Sequence, residues 1–338
     1  MVWSDGHPVT LALDAEGGDR APDEIVAGAL AAATPLLRVL LVGRPEILAP
    51  LVHGPGADHV EVVPSGTTIS SHEEPAKAVR SRPDSSVGTG ARMVAEGRAQ
   101  GFVGAGSTGA MLAAGLLVVK RVPGVKRPAI VTVLPGRDGP VVFLDAGANA
   151  DCRPEHLLEF GILGSVFARR ALGIAEPRVA LLNIGEEETK GNELTLAAYP
   201  LLEGSGLRFT GNVEGRDLLS GAADVVVADG FTGNVALKLL EGTSRSVLER
   251  VREASSADVR SRVGGFLLRP ALRRVRAALD PEEYGGTYLL GLRGLVVICH
   301  GNSSRKAVVN ALRFGAEAVR QGVVEAVERE LGGESAAD

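Results

Sequence analysis

The chain has 338 residues, 45% of them hydrophobic and 4% aromatic, with a formal net charge of −5. A chain of this size buries roughly 75% of its unfolded surface, and its acidic balance gives no reason to expect a nucleic-acid partner. The two cysteines, Cys152 and Cys299, belong to no CxxC pair or Cys/His cluster, which argues against a disulfide framework or a metal site and favours a reducing cytoplasm.

Short runs rich in Val, Leu and Ile recur along the chain and predict strands. Most of these runs are apolar on both faces, which is typical of parallel strands covered by helices on both sides. The predicted strands are Val9–Leu13, Arg38–Val42, Val60–Val63, Gly101–Val103, Ile130–Leu134, Val141–Leu144, Val179–Leu182, Leu207–Thr210, Asp224–Val227 and Leu295–Ile298.

Alanine-rich stretches between these runs predict helices, and the alternation predicts a doubly wound α/β fold with a mainly parallel sheet. The predicted helices are Pro22–Ala33, Ser86–Glu96, Ala110–Val119, Pro154–Leu172, Asn234–Glu253 and Ser303–Leu331. We expect an α/β core over residues 1–252, an Arg-rich helical excursion over 253–284, a return to the core over 285–331 and a disordered tail over 332–338.

The Arg-rich excursion predicts an amphipathic helix beginning at Pro270, because proline suits a first helical position. Such a helix packs on the core or on a partner subunit, or it lies on an anionic membrane, where each arginine adds about 1 kcal/mol. The same basic patch would also suit an acidic carrier protein. The candidate contact residues are Leu267, Leu268, Arg269, Leu272, Arg273, Arg274 and Arg276.

Polar, glycine-containing segments stand where predicted strands end. Ligands of parallel α/β sheets bind outside the carboxyl ends of the strands, so we expect these loops to converge on one edge of the sheet. The segments are Asp14–Asp19, Gly104–Gly109, Asp145–Asn149, Asn183–Glu193, Asp229–Asn234 and His300–Ser304.

Gly104–Gly109 matches the GxGxxG pattern, which by itself is a weak signal. A nicotinamide site needs an acidic residue about 20 positions further on, whereas Lys120, Arg121, Lys126 and Arg127 occupy that region. The pattern therefore favours a phosphate cradle over a dinucleotide site, since glycines expose backbone N–H groups, and Ser107 and Thr108 add hydroxyl donors. A plain strand-to-helix turn is the alternative.

Lys190 lies in a loop with three glutamates, Glu186, Glu187 and Glu188. Two interpretations carry equal weight here: a salt-bridged surface lysine, or an anion clamp that also donates a proton to a leaving group. His300 is a candidate general base, because the pKa of histidine lies near neutrality, although a lone histidine is more often structural.

Several stretches resemble the PlsX family of bacterial phosphate acyltransferases, which convert acyl-ACP and inorganic phosphate to acyl-phosphate. The matching segments run in order from near residue 9 to near residue 312. They are Leu11–Asp19 with Ala21 and Pro22, Gly104–Ala110, Asn183–Gly185 with Lys190–Asn192, Gly211–Glu214, Asp229–Asn234, Tyr284–Gly286 and Ile298–Gly301. The chain departs from the family at Glu16, where Met is usual, at Ser107, where Asn is common, and after Gly286, where Thr287 and Tyr288 replace a small residue and Pro.

The resemblance implies a fold akin to phosphotransacetylases and isopropylmalate dehydrogenases, a homodimer, no cofactor, and a cytoplasmic enzyme attached peripherally to the inner face of the membrane. Its partners would be acyl carrier protein, inorganic phosphate and an anionic membrane surface, in support of glycerophospholipid synthesis. On this basis Lys190, Asn234, Asp229 and Asn183 are the expected catalytic residues, with Asp229 orienting Lys190 or its neighbours. The expected substrate-binding residues are Asp14, Gly17, Gly18, Gly106, Ser107, Thr108, Gly109 and His300.

Two other functions remain open at this point. An acyl-CoA:phosphate transferase of the phosphotransacetylase type would use the same phosphate site but needs an adenine pocket instead of a basic patch. A membrane-surface scaffold without enzymatic activity would depend on the Arg-rich segment and would have no use for the polar strand ends.

Overall fold

One sheet of eleven strands organises the computed structural model, which describes residues 8–70, 72–278 and 281–332, without the side chains of 273–282. The strands are β1 Val9–Asp14, β2 Leu37–Gly43, β3 Val60–Pro64, β4 Gly101–Gly104, β5 Ala129–Gly136, β6 Gly139–Leu144, β7 Val179–Asn183, β8 Phe209–Glu214, β9 Val225–Val227, β10 Thr287–Leu290 and β11 Leu295–Ile298. Their order across the sheet is β3-β2-β1-β4-β11-β10-β5-β6-β9-β7-β8.

The sheet consists of two parallel sets that run in opposite directions. Strands β3, β2, β1, β4 and β11 are mutually parallel and form the first set. Strands β6, β9, β7 and β8 form the second set. Between the sets, β10 is antiparallel to both β11 and β5, and β5 is antiparallel to β6. Three reversals separate the two sets, so their carboxyl ends lie at opposite edges.

This reversal corrects the expectation that all the polar loops meet at one edge. The upper group, which follows strands of the first set, comprises Asp14–Asp19, Gly104–Gly109 and His300–Ser304. The lower group, which follows strands of the second set, comprises Asp145–Asn149, Asn183–Glu193 and Asp229–Asn234. A site that uses both groups must therefore be assembled across a face of the sheet.

Helices cover both faces, as the doubly apolar strands predict. The helices are α1 Asp23–Ala32, α2 Pro45–Leu48, α3 Pro75–Ser81, α4 Ser86–Ala95, α5 Thr108–Ala114 with a π-helical continuation Gly115–Val119, α6 Pro154–Ala171, α7 Glu193–Glu203, α8 Gly230–Ala254, α9 Val259–Ala278, α10 Arg305–Arg320 and α11 Val323–Leu331. One core lies between the sheet and α1, α6, α7, α10 and α11. The other lies under α3, α4, α5 and the beginning of α8.

Several predicted elements differ from the observed ones. Strand β10 was not predicted, and the strand predicted at Leu207–Thr210 lies at Phe209–Glu214. The predicted last helix is two helices, because Gly322 adopts φ 65° between them. Helix α9 begins at Val259 and contains Pro270 in its interior, so Pro270 does not begin the helix. Leu267 and Leu268 are 71% and 57% exposed.

Two predictions fall on residues that are not described. The structure does not describe the side chains of the predicted contact residues Arg273, Arg274 and Arg276. Residues 333–338 of the predicted tail also lie outside the described residues. Within the described part of the chain, no helix combines the length and the apolar character needed to cross a membrane.

Candidate active site

Asp14 is the buried centre of the upper group. Its side chain is 1% exposed, and its Oδ1 accepts hydrogen bonds from the backbone N–H groups of Glu16 and Gly17, both at 3.1 Å. Burial raises the pKa of Asp14 from 3.8 to about 6, against the opposing effects of the Ser86 hydroxyl and the two N–H groups. Asp14 therefore shapes the loop that follows β1 from within.

Glycines allow the loops of the upper group to pack backbone against backbone. A Cβ on Gly17 would lie 2.5 Å from Asp14 Oδ2 and 2.9 Å from the nitrogen of Gly106. Gly18 has φ 100°, and a Cβ there would lie 2.9 Å from the carbonyl oxygen of Gly301. Side chains larger than hydrogen would separate the three loops, which explains the glycines at these positions.

Ser107 begins helix α5 as its N-cap. Its Oγ accepts a hydrogen bond from the N–H of Ala110 at 3.4 Å, which leaves the hydroxyl proton to donate elsewhere. Thr108 is exposed, and Gly109 approaches Pro75 so closely that a Cβ would lie 2.7 Å from its Cγ. The segment Gly104–Gly109 thus presents hydroxyl groups and a helix N-terminus at the edge of the sheet.

Glu16 is paired away from this surface. Its Oε1 accepts a hydrogen bond from Arg44 Nε at 2.8 Å, and its side chain is only 5% exposed. Glu16, which stands where the family usually has Met, is therefore paired with the Arg44 guanidinium. This positive charge offsets the repulsion that the Glu16 carboxylate would exert on a bound anion.

Asp145 is the corresponding buried carboxylate of the lower group. Its Oδ1 accepts from the backbone N–H groups of Ile130, Gly147 and Ala148 at 2.9 to 3.2 Å. Its Oδ2 accepts from the backbone N–H and the side-chain amide of Asn149 at 2.7 and 2.8 Å. Burial raises the pKa of Asp145, and the N–H donors oppose that rise.

The loop after β6 seats the beginning of α8. A Cβ on Gly233 would lie 1.9 Å from the carbonyl oxygen of Asp145, so the helix touches the loop directly. The exposed Asn234 lies over Gly147, whose φ is 134°, and a Cβ on Gly147 would come within 3.4 Å of the Asn234 side chain. Asp145 therefore helps to fix where Asn234 stands.

Asp229 caps this helix. Its Oδ1 accepts a hydrogen bond from the N–H of Thr232 at 2.9 Å. Among residues 8–70, 72–278 and 281–332, no hydrogen bond or ion pair joins Asp229 to Lys190. The geometry gives Asp229 a helix-capping role, and its predicted role in orienting Lys190 has no contact behind it.

Asn183 holds the loop that carries Lys190. Its Nδ2 donates to the carbonyl oxygen of Lys190 at 3.0 Å, and its Oδ1 accepts from the N–H of Ile184 at 2.9 Å. Strand pairing of Leu181 with Val227 sets Asn183 level with Asp229 at the same edge of the sheet. Asn183 thus supports the loop that carries Lys190, and its catalytic role stays a prediction.

The Lys190 side chain is exposed, and its ammonium has no ion-pair partner within the described part of the chain. Glu186 lies 3.8 Å from Arg216. Glu188 lies beside the hydroxyl of Tyr199; burial is the main cause of the raised pKa of Tyr199, and the charge of Glu188 raises it further. Within the described part of the chain no ion pair supports the interpretation of Lys190 as a salt-bridged surface lysine, and its role as an anion clamp or proton donor stays a prediction.

Helix α8 connects the two groups of loops. It begins in the lower group, and its Glu241 carboxylate lies 2.8 Å from Lys238 Nζ and 3.6 Å from the imidazole Nε2 of His300, which belongs to the upper group. Glu241 follows Asn234 by seven residues, about 10 Å along a helix axis. The predicted residue His300 is thereby linked to the helix that carries Asn234.

Sequence reasoning missed three supporting residues of this site. Asp145 and Asn149 lie in the segment Asp145–Asn149, one of the polar loops that follow predicted strands. Their position directly after a buried strand could have indicated that they belong to the site. Glu241 lies in the middle of a helix, where the sequence carries no sign that it reaches another loop. Cys299, next to His300, is buried.

Comparison with known proteins identifies the group to which the chain belongs. Residues 9–326 match the family described as "Fatty acid synthesis protein". The phosphate acyltransferase of Heliobacterium modesticaldum is 48% identical over 327 residues, covering 96% of this chain and 98% of that protein. The chain belongs to the PlsX family of phosphate acyltransferases. It is accordingly an acyltransferase.

Other relatives agree. The phosphate acyltransferase of Geobacillus thermodenitrificans is 43% identical, covering 96% of this chain and 99% of that protein. A phosphotransacetylase from Streptococcus pyogenes superimposes with a TM-score of 0.62 at 18% identity, covering 93% and 94% of the two chains. The EutD phosphotransacetylase from Staphylococcus aureus gives 0.59 at 18% identity, covering 92% and 94%. These structures confirm the predicted α/β fold.

Proposed function

We propose that the chain transfers a long-chain acyl group from acyl carrier protein to inorganic phosphate, giving acyl-phosphate for glycerophospholipid synthesis. The observation that carries this proposal is the exposed ammonium of Lys190, which has no ion-pair partner in the described part of the chain and lies at the sheet edge where Asn234 also lies. Family membership supports the acyl transfer, and the basic surfaces of this acidic chain support an acidic carrier as the donor.

The upper group is the proposed phosphate site. Ser107, Thr108 and the N–H groups around Gly106 and Gly109 supply donors, while Gly17 and Gly18 keep the approach open. Arg44 holds Glu16 aside at 2.8 Å, so the neighbouring charge does not repel the anion. Phosphate held beside the thioester needs no acylated serine, and positioning of this kind replaces much of the entropic cost of a bimolecular step.

The lower group is the proposed thioester site. Asn234 donates a hydrogen bond to the carbonyl oxygen, on which negative charge develops as the phosphate oxygen attacks, and a well-placed donor contributes about 3–4 kcal/mol. The C–S bond then breaks, and Lys190 stabilises or protonates the leaving thiolate. Attack by hydrogen phosphate releases one proton and the thiolate takes up one, so Lys190 returns to its ammonium form without net proton uptake.

The hydrogen-bond donor to the oxyanion follows a strand of the second set, and the donors to phosphate follow strands of the first set, at the opposite edge of the sheet. The reaction therefore requires the two groups of loops to face each other along α8. The Lys238–Glu241–His300 contacts supply the link that holds this arrangement. His300 is thus proposed as a bridging residue at the phosphate side, and this role needs no general-base step.

Peripheral membrane binding, a cytoplasmic location and a homodimer complete the proposal. Helix α9 supports the first, because Phe266, Leu267 and Leu268 are 57% to 72% exposed on a helix rich in arginine. Apolar side chains flanked by basic residues suit the interface of an anionic leaflet.

The test is to incubate the purified protein with long-chain acyl-ACP and phosphate, without CoA or nicotinamide, and to detect acyl-phosphate and free ACP thiol by mass spectrometry. Phosphate-dependent formation of both products is expected. Turnover of acyl-CoA but not acyl-ACP would instead establish a transferase of the phosphotransacetylase type and would overturn the carrier assignment.

A further inference from the structure

A cluster of exposed cations lies at the same sheet edge as the lower group. These side chains have no ion-pair partner within residues 8–70, 72–278 and 281–332, although the chain as a whole carries a net charge of −5. We call this cluster the basic rim; it comprises Lys120, Arg121, Lys126, Arg127, Arg153 and Arg293.

Hydrogen bonds to backbone carbonyl oxygens and a β-bridge hold the basic rim together as one surface. The N–H of Arg293 donates to the carbonyl oxygen of Lys120 at 2.9 Å, and Arg121 forms an isolated bridge with Leu292. The Arg121 guanidinium donates to the carbonyl oxygens of Val125 and Lys126, at 3.2 and 2.5 Å. The segments before β5 and before β11 are therefore fixed side by side.

A buried carboxylate anchors the centre of the rim without neutralising it at the surface. Glu159 is 5% exposed and accepts hydrogen bonds from the backbone N–H groups of Lys126 and Arg127 at 3.0 to 3.1 Å. Nearby, burial lowers the pKa of His156, and the charges of Arg127, Arg153 and Lys126 lower it further. The positive charges of the rim therefore affect the pKa of a buried side chain, His156.

The rim adjoins the proposed thioester site. The carbonyl oxygen of Pro128, next to Arg127, accepts from Asn149 Nδ2 at 2.8 Å, and the carbonyl oxygen of Asn149 accepts from the N–H of Gly230 at 2.8 Å. Gly230 begins α8, the helix that carries Asn234. Two hydrogen bonds therefore connect the rim to the helix end at which acyl transfer is proposed.

From this placement we infer that the basic rim docks the acidic protein that carries the acyl thioester, and that α9 is left to contact lipid. The inference rests on the proposed function. Charge complementarity favours this occupant, and a carrier bound there would present its thioester beside Asn234. Helix α9 instead packs at the far end of α8, where Gly265 lies against the C-cap residue Ser255. Electrostatic docking of this kind raises the association rate and is weakened by salt.

The rim can be tested with the double variant Lys126→Glu/Arg127→Glu, whose side chains are exposed and whose backbone bonds to Glu159 are retained. The matched control is Arg260→Glu/Arg262→Glu on α9, which carries the same change in charge. For each protein, kcat and KM are measured for acyl-ACP and for acyl-pantetheine, a small thioester with no protein surface, at saturating phosphate and at several salt concentrations.

We expect the rim variant to raise the KM for acyl-ACP about tenfold or more and to flatten its salt dependence. Its kinetics with acyl-pantetheine and the acyl-ACP kinetics of the α9 control should match wild type. An unchanged KM for acyl-ACP in the rim variant, or a rise only in the α9 control, would overturn the inference. So would a rim variant that loses binding to anionic vesicles instead. If the wild type turns over neither thioester, the proposed function itself fails.

Discussion

Glu241 approaches His300 to 3.6 Å and thereby joins a helix rooted in the second strand set to a loop that follows the first. The two sets run in opposite directions, so this contact spans from one group of polar loops to the other. Glu241 also accepts a hydrogen bond from Lys238 Nζ at 2.8 Å, so its carboxylate contacts both Lys238 and His300.

Replacing Glu241 by Gln should loosen this link without unfolding the protein. These side chains are partly exposed, so the link is worth at most about 1 kcal/mol, and kcat/KM should fall up to about fivefold. The measurement is steady-state acyl transfer together with thermal unfolding. The control is Glu249→Gln, an exposed position further along α8. Equal kinetics in the two variants would show that the link has no part in the reaction.

Lys190→Ala should lower kcat about 100-fold at saturating phosphate, the scale expected for losing one charge-stabilising group. The midpoint of thermal unfolding should not change, because the Lys190 side chain is exposed and has no ion-pair partner among the residues that the structure describes. Lys190→Arg separates two roles: arginine keeps the charge but does not give up a proton. If Lys190→Ala retained most of the activity, the assignment of Lys190 as a catalytic residue would be refuted.

Asp14 should make stability depend on pH in the acid range. Its folded pKa of about 6 lies above the unfolded value of 3.8, so the folded state binds more protons between these values. Its contribution to stability is therefore greatest below the unfolded pKa and is lost as pH rises through the folded pKa, in total about 3 kcal/mol.

Asp14→Asn removes this titration while its side-chain oxygen can still accept from Glu16 and Gly17. Urea unfolding of both proteins from pH 3 to about 8 should show the variant gaining about 3 kcal/mol relative to wild type as pH rises. A difference that is constant over this range would contradict the raised pKa.

Leu267→Ser/Leu268→Ser should abolish most binding to anionic vesicles. Each leucine contributes roughly 1.5–3 kcal/mol when buried, so partitioning measured by vesicle sedimentation should fall at least 100-fold. The control Val259→Ser changes a residue that is 75% exposed at the first position of α9, about two turns before Leu267. If the double variant instead alters only the oligomeric state, seen by light scattering, α9 serves a subunit interface.

Sequence reasoning recovered the fold class because buried parallel strands carry a strong signal: continuous apolar runs such as Val39–Val42 and Val225–Val227. The strand direction was missed, although Asp138-Gly139 between two apolar runs is a recognised hairpin signal, and this hairpin is one of the reversals between the two sets. Strand β10 has only four residues and begins with Thr287, too short a pattern to stand out.

For the candidate site, loop composition pointed to Lys190, Asn183 and Asn234, which the structure places at one edge. It could not separate the residue that faces solvent from the residue that supports it. Asn183 bonds to the backbone of Lys190 and Asp229 caps a helix, and both roles depend on backbone geometry. Glu241 reaches His300 through space across 59 positions of sequence, a relationship that no local pattern encodes.

The position of β11 between β4 and β10 imposes an order on biosynthesis. The first strand set lacks its last strand, β11, until residues 295–298 have left the ribosome. By then the whole second set has been synthesised. Long-range pairing of this kind is slow to form and leaves strand edges exposed meanwhile. The second set can therefore fold first, and the loop that carries His300 is among the last parts of the enzyme to reach its place.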